Sequence, residues 1–267
     1  MKYLMICGDP DIAEYIGELG VDIIFVDLER KGKLERQGKN TWISDHNLET
    51  VSSIRKKTNK ELLVRIDPLN INSRDQINNI IDLGADSLML PMIKNISEVN
   101  SFLNIVGKRT KKILLIETKE SLEAIDEIIK IKEFDEIYIG LNDLHISLNH
   151  KFMFESLTNG ILDELSKKFL KRKLPFGFGG IGLIGKGNLK AELILSEHVR
   201  LKSNSVILSR SFHQNSKNIY ELRNRLNFEK EFLKIKEKES EYRNLSDVEL
   251  MKNHKRCKKQ IDEILKK

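Results

Sequence analysis

Short apolar runs alternate with amphipathic stretches along most of the chain, and this alternation predicts a β/α protein. Several of the runs, such as DIIFVDL and SVILS, are almost continuously apolar. Such runs are typical of parallel strands that are covered on both faces. The predicted strands are residues 3–7, 22–28, 62–66, 87–91, 113–117, 136–141, 176–180 and 205–209.

The stretches between these runs carry the signals of helices. Ile12, Ile16 and Leu19 recur at helical spacing after the first strand, and Gly84 follows the third predicted helix where a terminating glycine belongs. Eight β/α units in about 210 residues match the count and size of a (β/α)8 TIM barrel. An open doubly wound sheet is the alternative, but no Gly-x-Gly-x-x-Gly turn follows the first strand.

The last 50 residues differ from the rest in composition, because they are mostly helix formers with dense mixed charge. Ser246 and Glu249 form the Ser-x-x-Glu pattern that begins a helix. We therefore divide the chain into a barrel, residues 1–217, and a helical C-terminal extension, residues 218–267, which includes the last barrel helix. We expect the rest of the extension to pack on a neighbouring subunit of a homo-oligomer; a solvated tail is the alternative. Its predicted apolar stripe is Val248, Met251, Ile261, Ile264 and Leu265.

Composition narrows the class of protein. The net charge of +6 is spread thinly, and aromatic residues are 6% of the chain, so we expect no nucleic-acid partner. Cys7 and Cys257 lie at opposite ends of the sequence, which suits a reducing compartment better than a disulfide framework. No window approaches the roughly 18 apolar residues of a membrane span. The first residues lack the apolar length of a secretory signal. We expect a cytoplasmic protein with no membrane partner.

Polar side chains collect at the predicted C-terminal ends of the strands, where a barrel builds its open mouth. Glu117 and Asp143 follow neighbouring strands, and two carboxylates without a nearby His or Cys suit Mg²⁺ or Mn²⁺. The alternatives are that Glu117 pairs with a lysine and that Asp143 caps a turn. Arg65 ends the third strand, where it either pairs with Asp67 or presents its planar fork to a carboxylate or enolate.

Two further features follow later strands. The glycine-rich segment 177–187, together with Arg210, is predicted either to bind phosphate or to form a tight turn. His46 and His145 follow the second and sixth strands and can reach the mouth.

Several of these segments resemble the HpcH/HpaI aldolase and citrate lyase β-subunit family, over about residues 10–215. The similar segments are GVDIIFVDLER, LLVRIDP, LGADSLMLPMI, and LLIETKESLEAIDEI followed by YIGLNDL. The resemblance implies a (β/α)8 barrel, usually oligomeric, that forms or cleaves carbon–carbon bonds through a pyruvate or acyl enolate on Mg²⁺ or Mn²⁺. It makes Glu117 and Asp143 the metal ligands, Arg65 the enolate-facing arginine, and Glu29 the acid that orients water at the metal. The expected substrate contacts are Arg65, Arg30, Pro91 and Gly140.

One position departs from the family pattern. The family's aldolases place a histidine directly after the glutamate that corresponds to Glu29, and this chain has Arg30 there. An arginine cannot accept a proton, so either another group is the general base, a role that we assign to His46, or the reaction is not a standard aldol cleavage. The segment 31–42 after Arg30 is also basic, with Lys31, Lys33, Arg36 and Lys39, and this favours an anionic substrate.

These observations predict a metal-dependent carbon–carbon lyase or aldolase. It would act through a pyruvate-like enolate on a 2-keto acid or an acidic sugar-derived substrate. The alternatives are an enzyme that binds a phosphate- or nucleotide-linked ligand through the glycine-rich segment, and a non-catalytic barrel.

Overall fold

Eight parallel strands close into a barrel in the computed structural model, which describes residues 1–33, 35 and 44–266. Each strand pairs with the next, and the first pairs with the eighth. The strands are β1 Lys2–Ile6, β2 Ile23–Asp27, β3 Glu61–Arg65, β4 Ser87–Leu90, β5 Lys111–Ile116, β6 Glu136–Ile139, β7 Phe176–Ile181 and β8 Ser205–Leu208. The predicted (β/α)8 barrel is confirmed.

Helices follow the strands and cover the outside of the barrel. They are α1 Pro10–Glu18, α2 Leu48–Lys57, α3 Ser73–Asp82, α4 Ile96–Val106, α5 Lys119–Glu123, α6 Ile125–Ile128, α7 Leu141–Ser147, α8 Ile161–Lys171, α9 Ala191–Arg200, α10 Ile219–Arg225, α11 Phe228–Arg243 and α12 Asp247–Leu265. Two 3₁₀ turns, Glu155–Leu157 and Arg210–Phe212, follow β6 and β8.

The core has two layers because side chains alternate along each strand. In β2, Ile23 and Phe25 belong to the cluster inside the barrel, whereas Ile24 and Val26 belong to the larger cluster between strands and helices. All four are buried, which explains why the strands read as continuous apolar runs.

Tyr138 bridges the barrel at its least regular seam. The pairing of β7 with β8 shifts register between Gly177 and Gly180. From β6, the Tyr138 hydroxyl lies 2.7 Å from the Gly179 carbonyl oxygen and accepts a hydrogen bond from the Ile207 amide at 2.9 Å. One side chain thus connects three strands.

The C-terminal extension packs on its own barrel. Phe228 and Phe232 of α11 are buried, and Tyr3 of β1 contacts Phe232 edge-on at 5.1 Å, so α11 serves as the eighth barrel helix. From α12, Leu250, Cys257 and Ile261 are buried, and His254 Nδ1 lies 3.0 Å from Glu197 of α9.

The predicted apolar stripe of α12 is therefore corrected. Ile261 is buried against the same chain, whereas Val248 and Met251 are 67% and 42% exposed. The residues that face the barrel are at positions 250, 257 and 261, because helical periodicity places these on one side. Packing of the extension on a neighbouring subunit stays a prediction.

Candidate functional site

Four carboxylates are buried at the mouth of the barrel, each at most 8% exposed. Asp27 ends β2, Glu29 lies two residues beyond it, Glu117 directly follows β5, and Asp143 lies in the first turn of α7 after β6. Burial raises the pKa of Glu117 to about 8, and the charges of Asp143 and Glu29 raise it as well. The predicted Glu29, Glu117 and Asp143 are thus all buried at the barrel mouth, and two of them act on the pKa of the third.

Glu117 is held by one backbone amide and lies close to Gly140. Its Oε1 accepts a hydrogen bond from the Met92 amide at 3.0 Å, directly after the buried Pro91. A Cβ atom at Gly140 would lie 2.6 Å from Glu117 Oε2, so a residue larger than glycine would displace this carboxylate. Pro91 and Gly140 therefore shape the surroundings of Glu117. The partner that the structure gives to Glu117 is a backbone amide and not a lysine.

Arg65 pairs with Asp27, not with Asp67. Its Nε donates to Asp27 Oδ1 at 2.9 Å and its Nη2 to Oδ2 at 2.7 Å, while Nε also lies 3.3 Å from Glu29 Oε2. Burial alone would raise the pKa of Asp27, but the charges of Arg65 and Lys33 hold it well below its usual range. Asp67 instead accepts the backbone amide of Arg30 at 2.8 Å.

Lys33 is a site residue that the sequence reasoning misplaced. Its ammonium group, expected to face an anionic substrate, is buried and lies 2.9 Å from Asp27 Oδ2 and 3.9 Å from Glu29 Oε2. The signal was available, because Lys33 follows Glu29 at the i+4 spacing of helical ion pairs. Of the other basic residues of that segment, Lys31 is exposed, whereas Arg36 and Lys39 lie outside the described residues.

Arg30 and His46 are joined by a hydrogen bond at the rim of the barrel mouth. Arg30 is exposed, and its Nη2 donates to the His46 carbonyl oxygen at 2.9 Å. The His46 Nδ1 atom accepts a hydrogen bond from the Asp27 amide at 3.1 Å, which places the ring at the mouth as expected. This hydrogen bond occupies the lone pair of the neutral ring, whereas a general base needs a free one. The base role assigned to His46 is therefore not supported by its geometry.

The strands after β6 add one residue that the sequence reasoning passed over. His213 follows the turn after β8, and its positive charge, when protonated, lowers the pKa of His46. His145 lies on α7, half-buried.

Part of the glycine-rich segment is a strand and not a loop, because Gly177 and Gly180 belong to β7. This leaves fewer loop residues for the predicted binding of phosphate.

The charges of the site favour one divalent cation. The four buried carboxylates face two cations, Arg65 and Lys33, which leaves a net charge of −2 when all six groups are ionised. Among residues 1–33, 35 and 44–266, no three His, Cys, Asp or Glu side chains are close enough to hold a metal together. The carboxylate oxygens of Glu117 and Asp143 are of the kind that Mg²⁺ and Mn²⁺ bind, and a cation held by these two would complete its shell with water and substrate oxygens.

Comparison with known families agrees with this arrangement. A sequence profile described as HpcH/HpaI aldolase/citrate lyase matches residues 5–156, more than half of the chain. The chain belongs to this family. Aldolases of the HpcH/HpaI family generally depend on a divalent metal. The matched segment contains Glu29, Arg65, Glu117 and Asp143, whereas β7, β8 and the C-terminal helices lie beyond it.

Solved structures share the fold of this family member at low sequence identity. A HpcH/HpaI aldolase from Desulfitobacterium hafniense DCB-2 is 15% identical over 78% of this chain and 85% of its own, with a TM-score of 0.59. A HpcH/HpaI aldolase/citrate lyase family protein from Burkholderia cenocepacia J2315 is 14% identical over 79% and 89%, with a TM-score of 0.61. Citrate synthase SbnG is 19% identical over 78% and 86%, with a TM-score of 0.60. Because the likeness extends to a synthase, the fold alone does not define the reaction.

No curated protein matches the sequence. Within the described part of the chain, no helix has both the length and the apolar character needed to cross a bilayer.

Proposed function

We infer that the protein is a metal-dependent carbon–carbon lyase or aldolase that acts through a pyruvate-like enolate. Its substrate would be a 2-keto acid or an acidic sugar-derived compound. The observation that carries this proposal is the excess of four buried carboxyl groups over two buried cations, beside an arginine whose orientation is fixed. An uncompensated pair of buried charges is costly, so the site is built for a cation that it receives from outside.

Each buried group has a distinct role in this proposal. Glu117 and Asp143 would hold Mg²⁺ or Mn²⁺, which when bound acts as a Lewis acid towards the oxygens of a keto acid. Arg65 uses Nε and Nη2 on Asp27, and its Nη1 makes no hydrogen bond within the described residues. That nitrogen would donate to a substrate oxygen as negative charge develops there. Glu29, 3.3 Å from Arg65, would orient water at the metal.

The rim favours an anionic substrate. With a divalent cation bound, the charges of the ionised buried groups cancel, and the exposed Arg30 and Arg210 add positive charge near the mouth. Field lines from such a rim attract anions and raise their rate of encounter. The homo-oligomer and the absence of nucleic-acid and membrane partners, both expected from the sequence, remain part of this proposal.

Metal binding and enolate formation test the proposal together. Glu117→Gln should weaken Mn²⁺ binding, measured by calorimetry, by about tenfold or more, because one of two anionic ligands is lost. The variant should also abolish Mn²⁺-dependent exchange of the pyruvate methyl protons with D₂O, followed by NMR. Glu123→Gln is the matched control, since Glu123 is exposed on α5 and pairs only weakly with Lys119 at 3.8 Å. Unchanged Mn²⁺ affinity in both Glu117→Gln and Asp143→Asn would overturn the proposal.

A further inference from the structure

A cleft lies on the outside of the barrel, where α11 and α12 both pack on α9. Its volume is about 990 Å³, and sites for small organic ligands typically measure about 300–1,000 Å³. Leu193 and Tyr242 contribute buried surface to its lining. None of the four buried carboxylates of the barrel mouth lines it, so the cleft is separate from the proposed metal site.

Basic side chains without an acidic partner line this cleft. Lys238 and Lys259 each pair with a glutamate of their own helix, at 2.5 and 4.0 Å. Lys190, Lys252 and Arg256 are exposed and form no ion pair with any residue that the structure describes. Lys252 and Arg256 lie on α12 at the i, i+4 spacing that places both on one face of a helix. The cleft thus has cationic donors to which the described part of the chain supplies no acceptor.

The acidic side chains of the cleft already have donors within the protein. Two of its four glutamates are the partners of the paired lysines. Of the others, Glu192 accepts the Gly185 amide at 2.9 Å, and Glu249 accepts the Ser246 amide at 2.8 Å. The surplus in the cleft is therefore one of hydrogen-bond donors, and an anion from outside the chain would satisfy it.

The hydroxyl of Tyr242 is a further donor without a partner. This residue is 7% exposed, yet its hydroxyl makes no hydrogen bond within the described residues. A buried tyrosine usually gives its hydroxyl a partner, so this one indicates a ligand that is not part of the chain. Burial raises the pKa of Tyr242 to about 12, and the charges of Glu241 and Glu192 raise it further, whereas Arg256 lowers it. The phenol is therefore protonated at neutral pH and can donate to an anion.

The N-terminus of α9 adds a contribution of the same sign. The helix begins at Ala191, and the neighbouring Lys190, Glu192 and Leu193 all line the cleft. No side chain caps the first amides of this helix. The N-terminal end of a helix carries partial positive charge and favours anions.

We propose that this cleft binds a small phosphate-bearing polyanion, with Lys190, Lys252 and Arg256 as cationic contacts and the Tyr242 hydroxyl as a neutral donor. A phosphate monoester carries a charge of roughly −1.5 to −2 and three acceptor oxygens, which suits several donors better than a single carboxylate does. Arginine can give phosphate two parallel hydrogen bonds, and lysine binds it as a point charge. The site does not depend on the proposed function, because it lies outside the barrel mouth.

Calorimetry with three compounds tests the proposal on the full-length protein. ADP has two phosphates and an organic body, pyrophosphate has the phosphates without the body, and adenosine has the body without phosphate. The titrations contain no divalent cation, because such a cation binds phosphates itself. We expect ADP to bind with a Kd below about 1 mM, pyrophosphate to bind more weakly, and adenosine not to bind. Higher ionic strength should weaken the binding of ADP.

Variants of the lining identify the site. Lys252→Gln and Arg256→Gln should each weaken ADP binding by about tenfold, and Tyr242→Phe, which keeps the ring, by about threefold to fivefold. Lys255→Gln is the matched control, because Lys255 is exposed on the same helix and does not line the cleft. Its affinity should stay within about twofold of wild type. Thermal denaturation reports whether each variant folds.

Three results would overturn the inference. The first is a wild type that binds neither ADP nor pyrophosphate; a fall in oligomeric mass of Arg256→Gln in light scattering would then identify a second copy of the chain as the occupant. The second is adenosine bound as tightly as ADP. The third is an equal loss of affinity in Lys252→Gln and Lys255→Gln. The variant Glu117→Gln should bind ADP as the wild type does, so failure of the proposed function and failure of this inference are distinguishable.

Discussion

Asp27 and Arg65 stand directly opposite each other in the paired strands β2 and β3, and two parallel hydrogen bonds of 2.9 and 2.7 Å join them. The register of the sheet therefore orients the guanidinium before any ligand arrives. Planar, bidentate pairing of this kind adds geometric precision to the electrostatic attraction. The edge of the Arg65 guanidinium that does not bind Asp27 therefore has a fixed orientation before a ligand binds.

Replacing Asp27 should be costly for stability and for the site. Asp27→Asn leaves Arg65 and Lys33 buried with one carboxylate fewer, and breaking a buried ion pair costs about 3–5 kcal/mol. We expect the free energy of unfolding, measured with urea, to fall by that amount. Asp67→Asn is the control, because Asp67 accepts from the amides of Arg30 and Lys31 and not from Arg65. Equal losses of unfolding free energy in Asp27→Asn and Asp67→Asn would contradict the expected contribution of the Asp27–Arg65 ion pair.

Removing the buried lysine should tighten metal binding. Lys33→Met removes one positive charge from the buried groups, and a cation nearby gains attraction as a result. We expect calorimetry to show Mn²⁺ affinity higher by about threefold or more. Lys31→Met also removes one positive charge, but from the exposed rim, where Lys31 bonds Asn70, and should alter affinity little. Weaker Mn²⁺ binding in Lys33→Met would contradict the charge argument.

The stability of the fold should fall in mild acid because of His198. This ring is fully buried, stacks on Phe178 at 3.7 Å, and lies 2.6 Å from the Ser203 hydroxyl. Burial lowers its pKa from 6.5 to about 3 in the folded state. Above about pH 7 the ring is neutral whether folded or unfolded. Between pH 6.5 and pH 3 the unfolded chain binds a proton that the folded chain does not.

The expected loss is about 2 kcal/mol between pH 6.5 and pH 5, at about 1.4 kcal/mol for each pH unit. Urea unfolding of wild type and His198→Gln at pH 7 and pH 5 measures it. The variant should lose less stability over this interval by about 2 kcal/mol. His46 and His213, whose pKa values burial also lowers, contribute equally to both proteins. The same acid sensitivity in the variant would remove His198 as the cause.

Deleting α12 should destabilise the barrel itself. A chain ending at Asn244 loses the buried side chains of Leu250, Cys257 and Ile261 and leaves Glu197 without His254. At about 1.5–3 kcal/mol for each large apolar side chain, we expect a loss of about 4 kcal/mol or more. Chemical unfolding checks the stability, and light scattering of the same protein checks the predicted homo-oligomer. A smaller particle mass with unchanged unfolding would place the extension at a subunit contact instead.

The barrel could be predicted from the sequence because a change from apolar to polar residues marks the end of each strand. Predicted and observed strand bounds differ by at most two residues, since apolar runs end where polar mouth residues begin. The same rule predicted Glu117 and Asp143 at the mouth, where both are buried. They share a site because adjacent parallel strands carry their C-terminal ends to one rim.

Contacts between distant segments lay beyond the sequence. No sequence pattern predicts that Arg65 pairs with Asp27 rather than with Asp67. Asp27 lies next to Arg65 in space, across the paired strands, whereas Asp67 lies next to it in the sequence. The orientation of His46 was equally hidden, since it depends on the amide of Asp27, 19 residues away. The face of α12 that packs on the barrel was predicted wrongly. The helix has apolar residues on two sides, and the sequence does not indicate which side faces the barrel.

The bridge that Tyr138 makes across β6, β7 and β8 has a consequence for solvent access. The Ile207 amide donates to the Tyr138 hydroxyl, and burial keeps that phenol protonated by raising its pKa well above 10. Exchange of this amide hydrogen with D₂O therefore requires the Tyr138 side chain of β6 to separate from β7 and β8. Its resonance in a hydrogen-exchange experiment should report the opening of the whole seam, and should be among the last to disappear.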